Sequence, residues 1–124
     1  MKEEHNIQVS ISIYLKYKRI MHYAVPNGIH LNLKDRAASA RYMKYLKSEG
    51  FRPGVADLVL LLPNGRSIYV EVKSGKGRQS DNQKEFQNKI ESLGFTYLLW
   101  RSLDDVEEFL KKEEEKNEKG RNKN

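Results

Sequence analysis

Apolar and polar positions along this chain repeat with two different periods. Ile7, Ile11, Tyr14 and Leu15 recur at helical spacing, which predicts a helix over residues 3 to about 19 with one inward face. Glu4 and Gln8 border that face, where an acid is either a solvated edge charge or an inward functional group. Met21 to Val25 reads as a short strand stopped by Pro26-Asn27-Gly28, with a loop through Lys34. Residues 36 to 49 are alanine-rich and precede Gly50, the pattern of a second helix with a glycine stop. A third helix is expected from Ser80 to Leu93, with Phe86, Ile90 and Leu93 inward and Gly94 at its end. Ser80 and Gln83 have the spacing of a capping box, and Gln83 also shares the helix face of Phe86, Gln87 and Ile90. Thr96 to Trp100 reads as a strand, followed by a helix capped by Ser102 with Leu103, Val106 and Leu110 inward. From Lys111 onward the chain is almost entirely Lys, Glu, Asn, Gly and Arg, so a folded unit over residues 1–110 and a disordered charged tail over 111–124 are expected.

The two apolar runs between residues 56 and 73 flank Pro63-Asn64-Gly65 and predict a hairpin. Proline suits the second position of a type I turn, and Gly65 can adopt the left-handed conformation that closes a three-residue loop. In that register Leu62 faces Arg66 and Asp57 faces Glu71. Alternation then puts Lys73 on the face of the two acids and leaves Leu58, Leu60, Leu62, Ile68, Val70 and Val72 as a wholly apolar opposite face. A two-residue Asn-Gly loop would slip the register by one and mix polar with apolar on both faces, which argues against it. Two carboxylates and an ammonium converging at one strand end suit a divalent cation and a phosphate. The residues alone fit equally well the charged ends of a half-buried hairpin.

Composition narrows the partners. A chain of 124 residues makes one domain. Its net charge of +6 and pI near 9.5 point to an anionic partner, of which nucleic acid is the commonest for a small basic domain. Arg36, Arg41, Lys44 and Lys47 on the second helix face a single acid, Glu49, and form either a solvated face or a phosphate-contacting one. Lys73-Ser74-Gly75-Lys76-Gly77-Arg78-Gln79 is a basic loop that lacks the glycine–lysine spacing of a Walker motif. With no cysteine, disulfides and thiolate metal sites are excluded. His5, His22 and His30 lack metal-ligand spacing and read as ordinary surface or strand residues. There is no secretory segment and no run approaching a membrane span, so a cytoplasmic protein is expected.

Taken in order, Glu4-x-x-Ile7-Gln8, Val25-Pro26-Asn27-Gly28, Pro53-Gly54-Val55-Ala56-Asp57, Glu71-Val72-Lys73-Ser74 and Gln83 resemble the PD-(D/E)XK nuclease superfamily. Within it the chain resembles a stand-alone VRR-NUC (virus-type replication-repair nuclease) domain over roughly residues 3 to 110. The resemblance implies an α/β fold with a restriction-endonuclease-like core, a mixed central sheet flanked by helices. It implies that Asp57 and Glu71, with the backbone carbonyl of Val72, ligate Mg²⁺ or Mn²⁺. Lys73 would orient the attacking water, Gln83 would stand beside the site, and Glu4 would complete it from the first helix, with Glu3 as its alternative. Ala56 stands where the superfamily's name motif has proline, a position that shapes backbone and supplies no ligand. The activity implied is metal-dependent endonuclease cleavage of DNA, structure-specific for branched forms such as Holliday junctions, by a homodimer. Arg36, Arg41, Lys76, Arg78 and Lys84 are the candidate DNA-binding residues. A non-catalytic nucleic-acid-binding module would share the basic surface without needing Asp57, Glu71 and Lys73 together.

Overall fold

A computed structural model describes residues 2–26 and 35–122. Helix α1 (Lys2–Tyr17) leads through a left-handed Arg19 into strand β1 (Met21–Ala24), and helix α2 (Arg36–Ser48) follows the undescribed residues. The hairpin comprises β2 (Leu58–Leu62) and β3 (Arg66–Val72), and α3 (Asp81–Ser92) crosses to β4 (Thr96–Trp100) before α4 (Leu103–Asn122). The strands form one sheet in the order β1-β2-β3-β4. The first three are antiparallel and β4 runs parallel to β3, because a helical crossover returns the chain in its original direction. The mixed sheet flanked by helices is the architecture that the family resemblance implied.

Hairpin register also follows the sequence: Leu62 pairs with Arg66 and Leu58 with Val70. The loop itself differs from a type I turn. Asn64 as well as Gly65 has positive φ, at 66° and 71°. Asparagine tolerates that region, and consecutive left-handed residues match the twist of the flanking strands.

Alternation sorts the sheet into two packed faces. Leu58, Leu60, Ile68, Val70 and Val72 are buried with Ile11 and Leu15 of α1, Trp100 of β4 and Val106 of α4. Each side chain removed from water in this way contributes roughly 1.5–3 kcal/mol before entropy is counted. The opposite face packs Ala56, Tyr69 and Tyr97 against Phe86 and Ile90 of α3. Helix α2 has Asp35 as N-cap, accepting from the Ala37 N–H at 2.9 Å, and contains no buried residue.

Two expectations are corrected. Leu93 is 73% exposed rather than inward, because α3 ends at Ser92 and the chain turns away through Gly94 at φ 93°. Leu103 is also exposed, and Phe109 takes the inward place beside Trp100, with ring centroids 5.9 Å apart. Helix α4 extends past Lys111 as far as Asn122. Helical Glu–Lys pairs at Glu108–Lys112 and Glu113–Lys116, and a two-pronged ion pair from Arg66 to Glu113 at 2.7 and 3.1 Å, give this charged segment local partners. Asn27 to Lys34, which include His30 and part of the Val25-Pro26-Asn27-Gly28 anchor, lie outside the described residues.

Candidate active site

The end of the hairpin opposite its turn borders a cleft of about 270 Å³. Its walls are Glu4 of α1, Gly54, Val55 and Asp57 before β2, Glu71 and Lys73 of the β3 end, and Ser80, Asn82 and Gln83 at the start of α3. Glu4, Asp57, Glu71, Lys73 and Gln83, separated by up to 79 positions in the chain, therefore meet at one place. Glu4 lines the cleft, whereas Glu3 is exposed and does not.

Local backbone geometry brings the acids together. Asp57 lies one residue beyond the Leu58–Val70 pair; its carbonyl accepts from the Val25 N–H at 2.8 Å, tying it to the end of β1. Its carboxylate accepts from the Val72 N–H, also at 2.8 Å. The preceding turn needs Gly54. Its φ is +85°, and a Cβ there would lie 2.6 Å from the Asn82 backbone. The first turn of α3 can approach the acid-bearing loop only because that side chain is missing.

Glu71 is the buried acid among the described residues, at 1% exposure. Gln83 Nε2 donates to its Oε1 at 2.9 Å, and the Tyr97 hydroxyl donates to its Oε2 at 3.2 Å. Gln83 also closes the capping box, its Oε1 accepting from the Ser80 N–H at 2.8 Å. One side chain thus holds both the helix terminus and the site. Burial, followed by the hydrogen bond and charge of Asp57, pushes the Glu71 carboxyl up to about 9; Lys73 and Tyr97 oppose the shift. Lys73 Nζ lies 4.0 Å from Glu71 Oε1, with its side chain 12% exposed. Burial and the neighbouring Glu71 charge likewise raise the Tyr97 hydroxyl above its ordinary value.

The donor set fits a hydrated magnesium-type cation. Among the described residues no three His, Cys, Asp or Glu side chains gather as a metal-holding group. Mg²⁺ is commonly held by only one or two carboxylates and keeps several waters. Asp57 and Glu71 supply that pair, with the Val72 carbonyl between Glu71 and Lys73 in the chain. A buried carboxyl whose proton affinity is raised by burial and by a neighbouring acid is an arrangement that a cation relieves.

Of the basic candidates, Lys76 and Arg78 lie exposed in the loop after β3, Lys84 lies exposed on α3, and Arg36 and Arg41 lie exposed on α2. The sequence reading missed Tyr97 and Gln79. Gln79 Nε2 donates to the Tyr97 hydroxyl at 3.1 Å and to Gln87 Oε1 at 2.9 Å. The alternation of Tyr97 and Leu99 was readable, but only the register Tyr69–Tyr97 reveals that this hydroxyl reaches Glu71. A larger cleft of about 370 Å³ lies between α1 and β1, but no carboxylate lines it. His22 is satisfied there, paired with Ser12 Oγ at 2.8 Å and with the Ile20 carbonyl at 2.9 Å, as an ordinary strand histidine would be.

An acid-bearing antiparallel hairpin, a parallel fourth strand and a crossover helix that delivers a glutamine to the acids constitute a restriction-endonuclease-like fold. The VRR-NUC domain model matches residues 2–103, and the chain belongs to that nuclease-type family. A solved structure described as a VRR_NUC domain protein is similar at a TM-score of 0.64 and 16% identity, covering 88% of this chain and 85% of the other. At that identity the likeness speaks for the fold. No curated protein matches the chain.

Proposed function

We propose that the domain is a Mg²⁺- or Mn²⁺-dependent endonuclease that hydrolyses DNA phosphodiester bonds, acts on branched DNA as a homodimer and works in the cytoplasm. The observation that carries this reading is Glu71, a buried carboxyl in contact with Asp57 at the wall of a cleft shared with Lys73. Asp57, Glu71 and the Val72 carbonyl would hold the cation. When bound, it would lower the pKa of a water and neutralise charge on the phosphate.

The remaining chemistry belongs to the chain. Gln83 donates to Glu71 without a charge of its own, so it orients the carboxylate and leaves its charge available. Lys73 contributes a point charge, suited to holding a phosphate oxygen and steadying the attacking water. Glu4 lines the cleft from α1 and offers a further carboxylate to that water. Exposed Lys76, Arg78 and Lys84 flank the start of α3 and suit the phosphates of a bound strand, with Arg36 and Arg41 on α2 extending the basic surface.

One chain carries one such cleft, so paired cuts in two strands require two chains. Exposed Met21 and Tyr23 on the edge strand β1, with exposed Val9, Ile13 and Tyr17 on α1, support such pairing.

The test is cleavage of a labelled four-way junction and its matching linear duplex with Mg²⁺ or Mn²⁺, beside Asp57→Ala. Symmetric, metal-dependent junction cuts that are lost in the variant are expected. Equal cutting of both DNAs would remove the branch preference. Binding without cutting would make the domain a nucleic-acid-binding module.

A further inference from the structure

Glu71 is gripped at both oxygens, and the grip on Oε2 comes from a chain of uncharged groups. Gln79 uses its side-chain amide nitrogen twice, donating to Gln87 Oε1 at 2.9 Å and to the Tyr97 hydroxyl at 3.1 Å. With its oxygen accepting from Gln79, Tyr97 directs its single hydroxyl proton to Glu71 Oε2 at 3.2 Å. The direction of each bond follows from what each group can donate. Tyr97 is 6% exposed, and Phe86 of α3 confines its ring at a centroid distance of 6.3 Å. Gln83 grips the other oxygen. Donors on opposite oxygens fix the plane of the carboxyl group, and neither cancels its charge.

We propose that Tyr97, set by Gln79, is a positioning residue that holds the Glu71 carboxyl plane and thereby raises the affinity of the site for a divalent cation. The inference rests on the reading that Asp57 and Glu71 bind such a cation. Groups that hydrogen-bond a metal-ligating side chain commonly change metal affinity by about 10- to 100-fold. An ordinary buried polar network would stabilise the core and leave cation binding unaffected.

The experiment is calorimetric titration of Mn²⁺ into the DNA-free, full-length chain, with urea unfolding of the metal-free protein alongside. Tyr97→Phe keeps the ring and its packing and removes only the hydroxyl. It is expected to weaken Mn²⁺ binding about 10-fold. Gln79→Leu, made on the half-buried loop residue, is expected to weaken binding less. In the Tyr97→Phe background it should weaken binding no further, because Gln79 acts through the hydroxyl. If Tyr97→Phe does not fold, Gln79→Leu alone decides: weakened Mn²⁺ binding supports the proposal and unchanged binding overturns it. Wild-type binding with Tyr97→Phe within twofold of it overturns the positioning role and leaves the cation site standing. Absence of Mn²⁺ binding by the wild type overturns both readings together.

Discussion

Gly54→Ala separates two costs that the fold imposes at one position. Gly54 sits at φ +85°, so any side chain there carries the left-handed penalty, about 1–2 kcal/mol. The added Cβ would also meet the Asn82 carbonyl carbon and oxygen at 2.6 Å and the Asn82 Cβ at 2.8 Å. Backbone cannot swing aside as a flexible side chain does, so the loop or the first turn of α3 must move by several tenths of an ångström. Overpacking of this kind adds about 1–3 kcal/mol. The expected loss is therefore about 2–5 kcal/mol, the sum of the two costs. Gly94→Ala is the matched control: φ is +93° and nothing lies within 4 Å of the new Cβ, so it bears the first cost alone. Urea unfolding of the three proteins at one pH measures both. Movement of Asn82 also carries Gln83 away from Glu71, so Gly54→Ala should weaken Mn²⁺ binding and Gly94→Ala should not. Equal destabilisation of the two variants would refute the steric account.

Three further outcomes are expected. The raised Glu71 value means the folded protein binds more protons than the unfolded chain between about pH 4.5 and about pH 9. Stability of the chelated protein should therefore fall as pH rises through that window, by up to about 1.4 kcal/mol per unit, and urea midpoints rising with pH would contradict the burial of this acid. Glu113 is held below the ordinary carboxylate range, chiefly by its hydrogen bond to Arg66. The contribution of that pair should persist above the ordinary range and disappear on acidification through the depressed value. Because Arg66 is 44% exposed, Glu113→Gln should cost less than about 1 kcal/mol, measured in a double-mutant cycle with Arg66→Ala. Arg78→Ala should reduce the salt slope of DNA binding by about one unit, and an unchanged slope would remove Arg78 from the contact surface.

Much of the candidate site was legible because its defining relations are local. Pro63-Asn64-Gly65 and the alternation around it set the hairpin register, and that register alone brings Asp57, Glu71 and Lys73 together. The place of Gln83 on α3 was legible for the same reason: a four-residue capping box fixes where the helix begins, and helical period puts Gln83 on the face of Phe86 and Ile90. Reading failed where helix ends depart from periodicity. Leu93 and Leu103 continue or open an apolar stripe in the sequence, yet each sits at a helix end and both are exposed. In the charged end of α4, the pairing of Glu113 with Arg66, 47 positions away, is a contact between distant segments that no local pattern announces.

Short-range chemistry, the turn residues and the two hydrophobic periods, was enough for the order of elements and for the hairpin that brings Asp57 and Glu71 to one end of the sheet. Pairings between distant segments needed the assembled sheet. The parallel register of β4 against β3 puts Tyr97 within reach of Glu71, and the close approach of α3 to Gly54 sets Gln83 against the same carboxyl. That Glu4, and not Glu3, lines the cleft depends on how α1 lies across the sheet end. These contacts link residues with no common period or turn, so nothing in the local pattern encodes them. The buried state of Glu71 arises the same way, from surfaces that meet only when both faces of the sheet are covered.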